Sequence, residues 1–349
     1  MPRKRKTMTE QATEVDEDLI TLVRKNKRLA LDLKSAKARN QSLLEQLEAA
    51  EAKAEVFESL SECEVRYDQF KRLPANLGGD TTAILVLTDW HIEERVDRKT
   101  TNGLNRYTPT IAKQRAEKAA NKFVDLVEKW RKFATIDHVV IGVLGDIITG
   151  YIHDELQQTN YLSPTEACVL ARDILCNIIR FIQKKLKLPV DVVTCNGNHG
   201  RTTRKMQHKN SYKNSWEWLL YQTIVSEFRN DKDVTFHVGE GYHNQLVIKS
   251  HKVRFHHGDS IKYNGGVGGI TIPVNKSIAA WNKKNPADLD VFGHFHTFCD
   301  HWSWVSCGCL IGYSEYALAI KAEYQPATQT MILLSKDHGK VLALPIFVE

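Results

Sequence analysis

The chain has 349 residues, 42% hydrophobic and 26% charged, with a formal net charge of +6 at neutral pH, enough to bury one large core and carry an appendage. No apolar run is long enough to cross a bilayer, and the start Met1-Pro2-Arg3-Lys4-Arg5-Lys6 lacks the apolar stretch of a signal peptide, so a cytoplasmic protein with no membrane partner is expected. The 7 cysteines are scattered, with only Cys307 and Cys309 close together; this excludes a disulfide framework and predicts reduced thiols.

Residues 1–17 read as a basic and polar tail. From 18 to 62 there is no Gly or Pro, and an apolar seam repeats every seven residues, with Leu19, Asn26, Leu33, Asn40, Leu47 and Ala54 at a and Leu22, Leu29, Ala36, Leu43, Ala50 and Phe57 at d. The pattern predicts a coiled coil. Asn at two a positions can pair across a parallel dimer, and the g-to-e′ pairs Asp32 with Lys37 and Lys53 with Glu58 carry opposite signs, so a parallel homodimer is the expected state. A single amphipathic helix laid on the rest of the chain remains the alternative. Pro74 and Gly78-Gly79 then mark residues 63–80 as a linker, and residues 81–349 as the main domain.

In that domain strand and helix signals alternate. Strand Ile84–Thr88 leads through a polar loop to a helix from Ile111 to about Lys132. Strand Val139–Leu144 leads to a helix from Pro164, behind Ser163, to about Lys187, and strand Val190–Cys195 to a helix near Ser215–Phe228. From Val234 onward short β-rich runs dominate: Gln245–Lys249, Lys252–His257, Leu289–Phe292, Trp302–Cys307, Thr330–Leu334 and Val341–Phe347. An α/β half followed by a mostly β half predicts a two-sheet sandwich with outer helices. The run Asn264-Gly265-Gly266-Val267-Gly268-Gly269 has neither the Lys of a P-loop nor dinucleotide spacing, and is expected to be a mobile lid or substrate loop beside His257, with a plain surface turn as the alternative.

Five of the strand-like runs finish in metal-binding side chains: Asp89-Trp90-His91, Gly145-Asp146, Gly197-Asn198-His199, His256-His257-Gly258 and Gly293-His294-Phe295-His296. The C-terminal ends of strands are where an α/β sheet presents side chains to a ligand, so five such ends can converge on one spot. Mixed His and Asp donors without thiolate suit Mn²⁺ first, with Fe²⁺, Zn²⁺, Co²⁺ or Mg²⁺ as alternatives. The inventory exceeds the four donors of one structural zinc, so two divalent ions are expected.

The order D-x-H, G-D, G-N-H, H-G and G-H-x-H resembles the calcineurin-like metallophosphoesterases over roughly Leu85 to Thr297. The resemblance implies a four-layer α/β/β/α sandwich. It also implies that Asp89, His91 and His296 hold one metal, that Asn198, His257 and His294 hold the other, that Asp146 bridges them, and that His199 serves as general acid or donor to the substrate oxygen. Two departures stand out. The family usually follows G-N-H with Asp or Glu, where this chain has Gly200, so a carboxylate orienting His199 must come from elsewhere or be absent. The second motif continues Ile147-Ile148-Thr149-Gly150, without the Asp-Arg of protein serine/threonine phosphatases.

Immediately after His199 comes a basic run in which Arg201, Arg204, Lys205 and Lys209 are the candidate contacts to a phosphate backbone. With the missing Asp-Arg, this favours the nuclease-like branch: a two-metal phosphodiesterase on DNA, using a metal-bound hydroxide to attack phosphorus in line. Two alternatives stay open: a protein or nucleotide phosphomonoesterase on the same site, and a coiled-coil assembly or DNA-tethering protein whose site is vestigial.

Overall fold

The computed structural model describes residues 7–61, 80–263, 265 and 268–349. Two compact units divide the chain at Met1–Pro74 and Ala75–Glu349. The expected linker lies outside the described residues except for Asp80, which opens the first strand, and in the glycine run Asn264, Gly266 and Val267 lie outside them.

The first unit is α1 (Met8–Ser61), one unbroken helix of 54 residues that starts well inside the expected polar tail. Every residue from 16 to 55 is exposed, including Leu19, Leu22, Leu29, Leu33, Leu43 and Leu47 of the heptad seam.

The second unit follows the expected alternation: β1 (Asp80–Leu87), α2 (Pro109–Trp130), β2 (Thr135–Val143), α3 (Asp154–Thr159), α4 (Pro164–Leu186), β3 (Val190–Thr194), α5 (Trp216–Glu227) and β4 (Val234–Val238). Then come β5 (Asn244–Ile248), β6 (His251–His256), α6 (Thr271–Trp281), β7 (Leu289–Phe292), β8 (Cys299–His301), β9 (Trp304–Ser306), α7 (Glu315–Ala319), β10 (Thr328–Ser335) and β11 (Gly339–Phe347). Local chemistry sets the starts of the long helices. Ser163 and Glu166 form a capping box ahead of Pro164 in α4, and Thr108 caps α2 before Pro109.

Two sheets form, one in the order β11-β10-β1-β2-β3-β4 and one in the order β5-β6-β7-β9-β8. Alternation along the strands makes the layers. Ala83, Leu85 and Leu87 of β1 join α2 and α4 in one core with Phe123 and Leu175, whereas Ile84 and Val86 point to the other face and pack with Phe255, Val291 and Val305 of the second sheet. Val274 and Ile278 of α6 cover that sheet's far side over Phe292 and Trp304. The result is the expected four-layer α/β/β/α sandwich.

The short elements α3, β8 and α7 were not among those expected. Two larger features also stand apart. The C-terminal hairpin joins the first sheet: β10 runs antiparallel to β1 and returns the chain to it. Helix α6 was not foreseen, because Thr-Ile-Pro-Val reads as a β-branched run and only Val274 and Ile278 of the helix are buried. Neither difference displaces the strand ends. β1, β2 and β3 are parallel neighbours, as are β6 and β7, so the segments that follow them emerge on one side of the sandwich.

Candidate metal centre

The turns that leave these strands are strained. Asp89, His91, Asp146, His294 and His296 all have φ between 46° and 69°, a left-handed conformation that costs a non-glycine residue about 1–3 kcal/mol. Backbone hydrogen bonds hold them there: Asp89 N donates to Gly145 O (3.1 Å), His91 N to Asp146 O (3.0 Å) and Leu310 N to Asp89 O (3.0 Å). Glycines permit the close approach. A Cβ on Gly197 would lie 2.1 Å from Asp146 Oδ1, and one on Gly293 would lie 2.4 Å from Asp89 Oδ2.

The side chains converge in three groups whose ligand atoms lie within 4.8 Å of one another: Asp89, His91 and His296; His91, Asp146 and His199; and Asp146, His257 and His294. His296 Nε2 is 3.3 Å from Asp89 Oδ1 and 3.3 Å from His91 Nε2. His257 Nδ1 donates to Leu144 O (2.8 Å), which directs Nε2 to within 2.9 Å of Asp146 Oδ2, off the line of a hydrogen bond. Such a carbonyl behind the imidazole is the usual support of a metal-binding histidine. Asn198 Oδ1 is buried with no hydrogen-bond partner. An amide oxygen stripped of water in this way calls for a donor or a cation. The orphaned oxygen and the donor set both fit two divalent ions, one at Asp89, His91 and His296, the other at Asn198, His257 and His294, with Asp146 placed to reach both.

Burial opposes the charge on Asp146, yet the imidazoles of His257 and His199 hold its carboxyl well below the usual range. Burial pushes His294 down to about 4 and, with His199 nearby, depresses His91 well below its ordinary value, so both present neutral lone pairs at pH 7. His257 is driven the other way, to about 10: burial opposes its proton but Asp146 retains it, so a cation entering there must displace that proton.

His199 N donates to Asp146 Oδ1 (2.8 Å), and its Nδ1 donates to Thr149 O (3.1 Å). The carbonyl of Thr149 thus orients the imidazole, as a carboxylate after G-N-H would, and fixes its proton on Nδ1. Of the basic residues, Arg204, Lys205 and Lys209 are exposed, whereas Arg201 is half-buried, its guanidinium donating to Asn198 O (2.7 Å) and Thr203 O (3.2 Å).

Four supporting residues escaped the sequence reading. Glu93, fully buried, accepts the N–H groups of Thr149 (2.9 Å) and Gly150 (2.8 Å), and burial raises its carboxyl to about 7. Glu94 Oε2 lies 3.8 Å from His91 Nδ1. Gln329 on β10 bonds Thr88 N (3.0 Å) and the Trp90 indole (2.9 Å), bracing the first turn. Glu217 on α5 accepts from Ile147 N and Gly197 N, both at 2.6 Å, and burial together with Asp146 raises it to about 8. Only Glu217 had a local signal, as an acid between two tryptophans in an apolar helix.

An α/β/β/α sandwich with histidines and carboxylates gathered at the ends of five strands defines a metal-dependent phosphoester hydrolase fold. The sequence model of the calcineurin-like phosphoesterases matches residues 82–298, and the chain belongs to that family. No curated protein matches it in sequence. Solved structures similar to it include a zinc complex of wild-type Vps29 from Entamoeba histolytica (12% identity, 76% of this chain and 99% of that one, TM-score 0.30). Another is a dimetal phosphatase from Danio rerio (12%, 77% and 99%, TM-score 0.34), and a third a hypothetical protein from Pyrococcus horikoshii (14%, 77% and 89%, TM-score 0.37). Among the described residues no helix is long and apolar enough to cross a membrane.

Proposed function

We propose that this chain is a two-metal phosphodiesterase that cleaves DNA, with Mn²⁺ as the favoured ion. Asp89, His91, His296 and Asp146 hold one cation, and Asn198, His257, His294 and Asp146 the other. Two divalent cations so placed lower the pKa of a water and offset charge on the phosphoryl and leaving oxygens. The protein positions the rest: His199, its Nδ1–H held by Thr149 O, turns Nε2 to the leaving oxygen, to which the imidazolium form gives a proton or a hydrogen bond.

One observation carries the choice of DNA. The basic loop is built onto the catalytic turn, with Trp216 N donating to Gly200 O (2.8 Å) and Thr202 N to Asn214 O (2.8 Å), so exposed Arg204, Lys205 and Lys209 stand on a base anchored beside His199. Such cations bind phosphates on either side of a scissile bond without reading sequence. Neutralising these three side chains should weaken DNA binding and reduce the magnitude of its log–log salt slope by up to ~2.7, about 0.9 per phosphate contact, with hydrolysis of a small phosphodiester nearly unchanged. Fluorescence anisotropy across a salt series reads both. Unchanged affinity and slope would move the phosphomonoesterase reading ahead.

The seam of α1 belongs to the same proposal. A helix exposed along its whole described seam, with Asn26 and Asn40 at a positions and opposite charges at Asp32 and Lys37, is suited to a second copy in parallel register. Deleting residues 1–62 should convert a dimer to a monomer by light scattering and leave small-ester hydrolysis intact. A truncated protein that stayed dimeric would place the interface in the second unit.

A further inference from the structure

Glu217 lies in the first turn of α5, behind Ser215, whose hydroxyl accepts Glu217 N (3.2 Å), and its side chain is fully buried. Its two oxygens go to different loops. Oε1 takes the N–H of Ile147, next to Asp146, and Oε2 takes the N–H of Gly197, next to Asn198. One carboxylate therefore closes the turn that carries the shared ligand onto the turn that carries Asn198 and His199. Removing the group that accepts these two N–H bonds leaves two buried donors bare.

The room for this carboxylate is made at Gly200. A Cβ there would lie 2.6 Å from Glu217 Cγ and 2.9 Å from Cδ. Gly200 is not among the residues with positive φ, so its backbone does not require glycine. What excludes a side chain is Glu217 itself. Between the two residues runs the whole basic loop, Arg201–Trp216, pinned at its base by the Arg201–Ser215 bridge.

We infer that Glu217 is a positioning residue, its carboxylate delivered across the basic loop into the space Gly200 leaves open, where it holds the Asp146 and Asn198 turns in metal-binding register and makes closure of that loop a condition of the assembled site. Its hydrogen bonds go to backbone N–H groups beside the proposed ligands and not to the ligand side chains. The inference rests on the two-metal reading above, but its first readout is metal affinity.

The test is Mn²⁺ titration calorimetry on chelator-stripped full-length protein, with kcat and KM for a small phosphodiester and the thermal midpoint alongside. Glu217→Ala should weaken Mn²⁺ binding and lower kcat by ~10–100-fold, the range for residues that support metal ligands. Glu217→Gln, isosteric and less disruptive to folding, should fall between, because its amide keeps one acceptor. Gly200→Glu alone should be damaging by collision. Combined with Glu217→Ala it should recover most of the affinity, since a side chain from position 200 then supplies the carboxylate. Normal Mn²⁺ affinity in both Glu217 variants, even with a lowered thermal midpoint, would overturn the inference. So would a double variant whose defects simply add. A wild type that binds two ions yet hydrolyses no phosphoester would refute the hydrolase reading and leave the affinity comparison to judge Glu217.

Discussion

Asp146→Asn is expected to abolish hydrolysis and to reduce bound metal below two ions per chain. Among the described residues, Asp146 is the one carboxylate that shares a ligand group with His91 on one side and with His257 and His294 on the other. An amide in its place offers one neutral oxygen where two charged ones stood, which removes the link between cations that repel one another. It also leaves His199 N a neutral acceptor in place of a charged one. Together these amount to several kcal/mol of transition-state stabilisation, about a thousandfold or more in rate. Elemental analysis of the dialysed variant and its initial rates measure the two effects; two bound ions with near-normal turnover would refute the bridging role.

His199→Ala is expected to behave differently, keeping both metals and losing ~10²–10⁴-fold in turnover, the usual contribution of a positioned acid or donor. His199 lies beside His91, ring centroids 4.7 Å apart, but its Nδ1 is committed to a backbone carbonyl and it completes neither proposed ligand set. Its loss should matter less as the leaving group improves, so a nitrophenyl ester should suffer less than an alkyl ester. Equal losses on both would assign His199 to holding the phosphoryl oxygens instead of protonating the leaving group.

That these histidines and carboxylates come together was legible in the sequence because each follows an apolar run, and a parallel strand has a single end at which to place them. Asp89 and His91 after β1, Asp146 after β2 and His257 after β6 need no long-range information beyond the sandwich. Their supports were not legible in the same way. Thr149 acts through its carbonyl, which no side-chain pattern reports, and Gln329 reaches the site only because the C-terminal hairpin crosses back to β1. Gly200 showed that an acid was missing but not what replaced it. Glu217 takes that space because α5, packed with α4, brings a residue from beyond the basic loop back under the turn. That α1 is one long helix was readable from residues 18–62, which hold neither Gly nor Pro and repeat apolar side chains every seven.

The two-metal phosphodiesterase account is tested most directly by stripping the full-length protein with a chelator, restoring Mn²⁺ stepwise, and following hydrolysis of an oligonucleotide at each step. Activity should vanish on stripping and return to a plateau at two ions per chain. Hydrolysis that survives stripping, saturates at one ion, or never appears at any Mn²⁺ occupancy would contradict it.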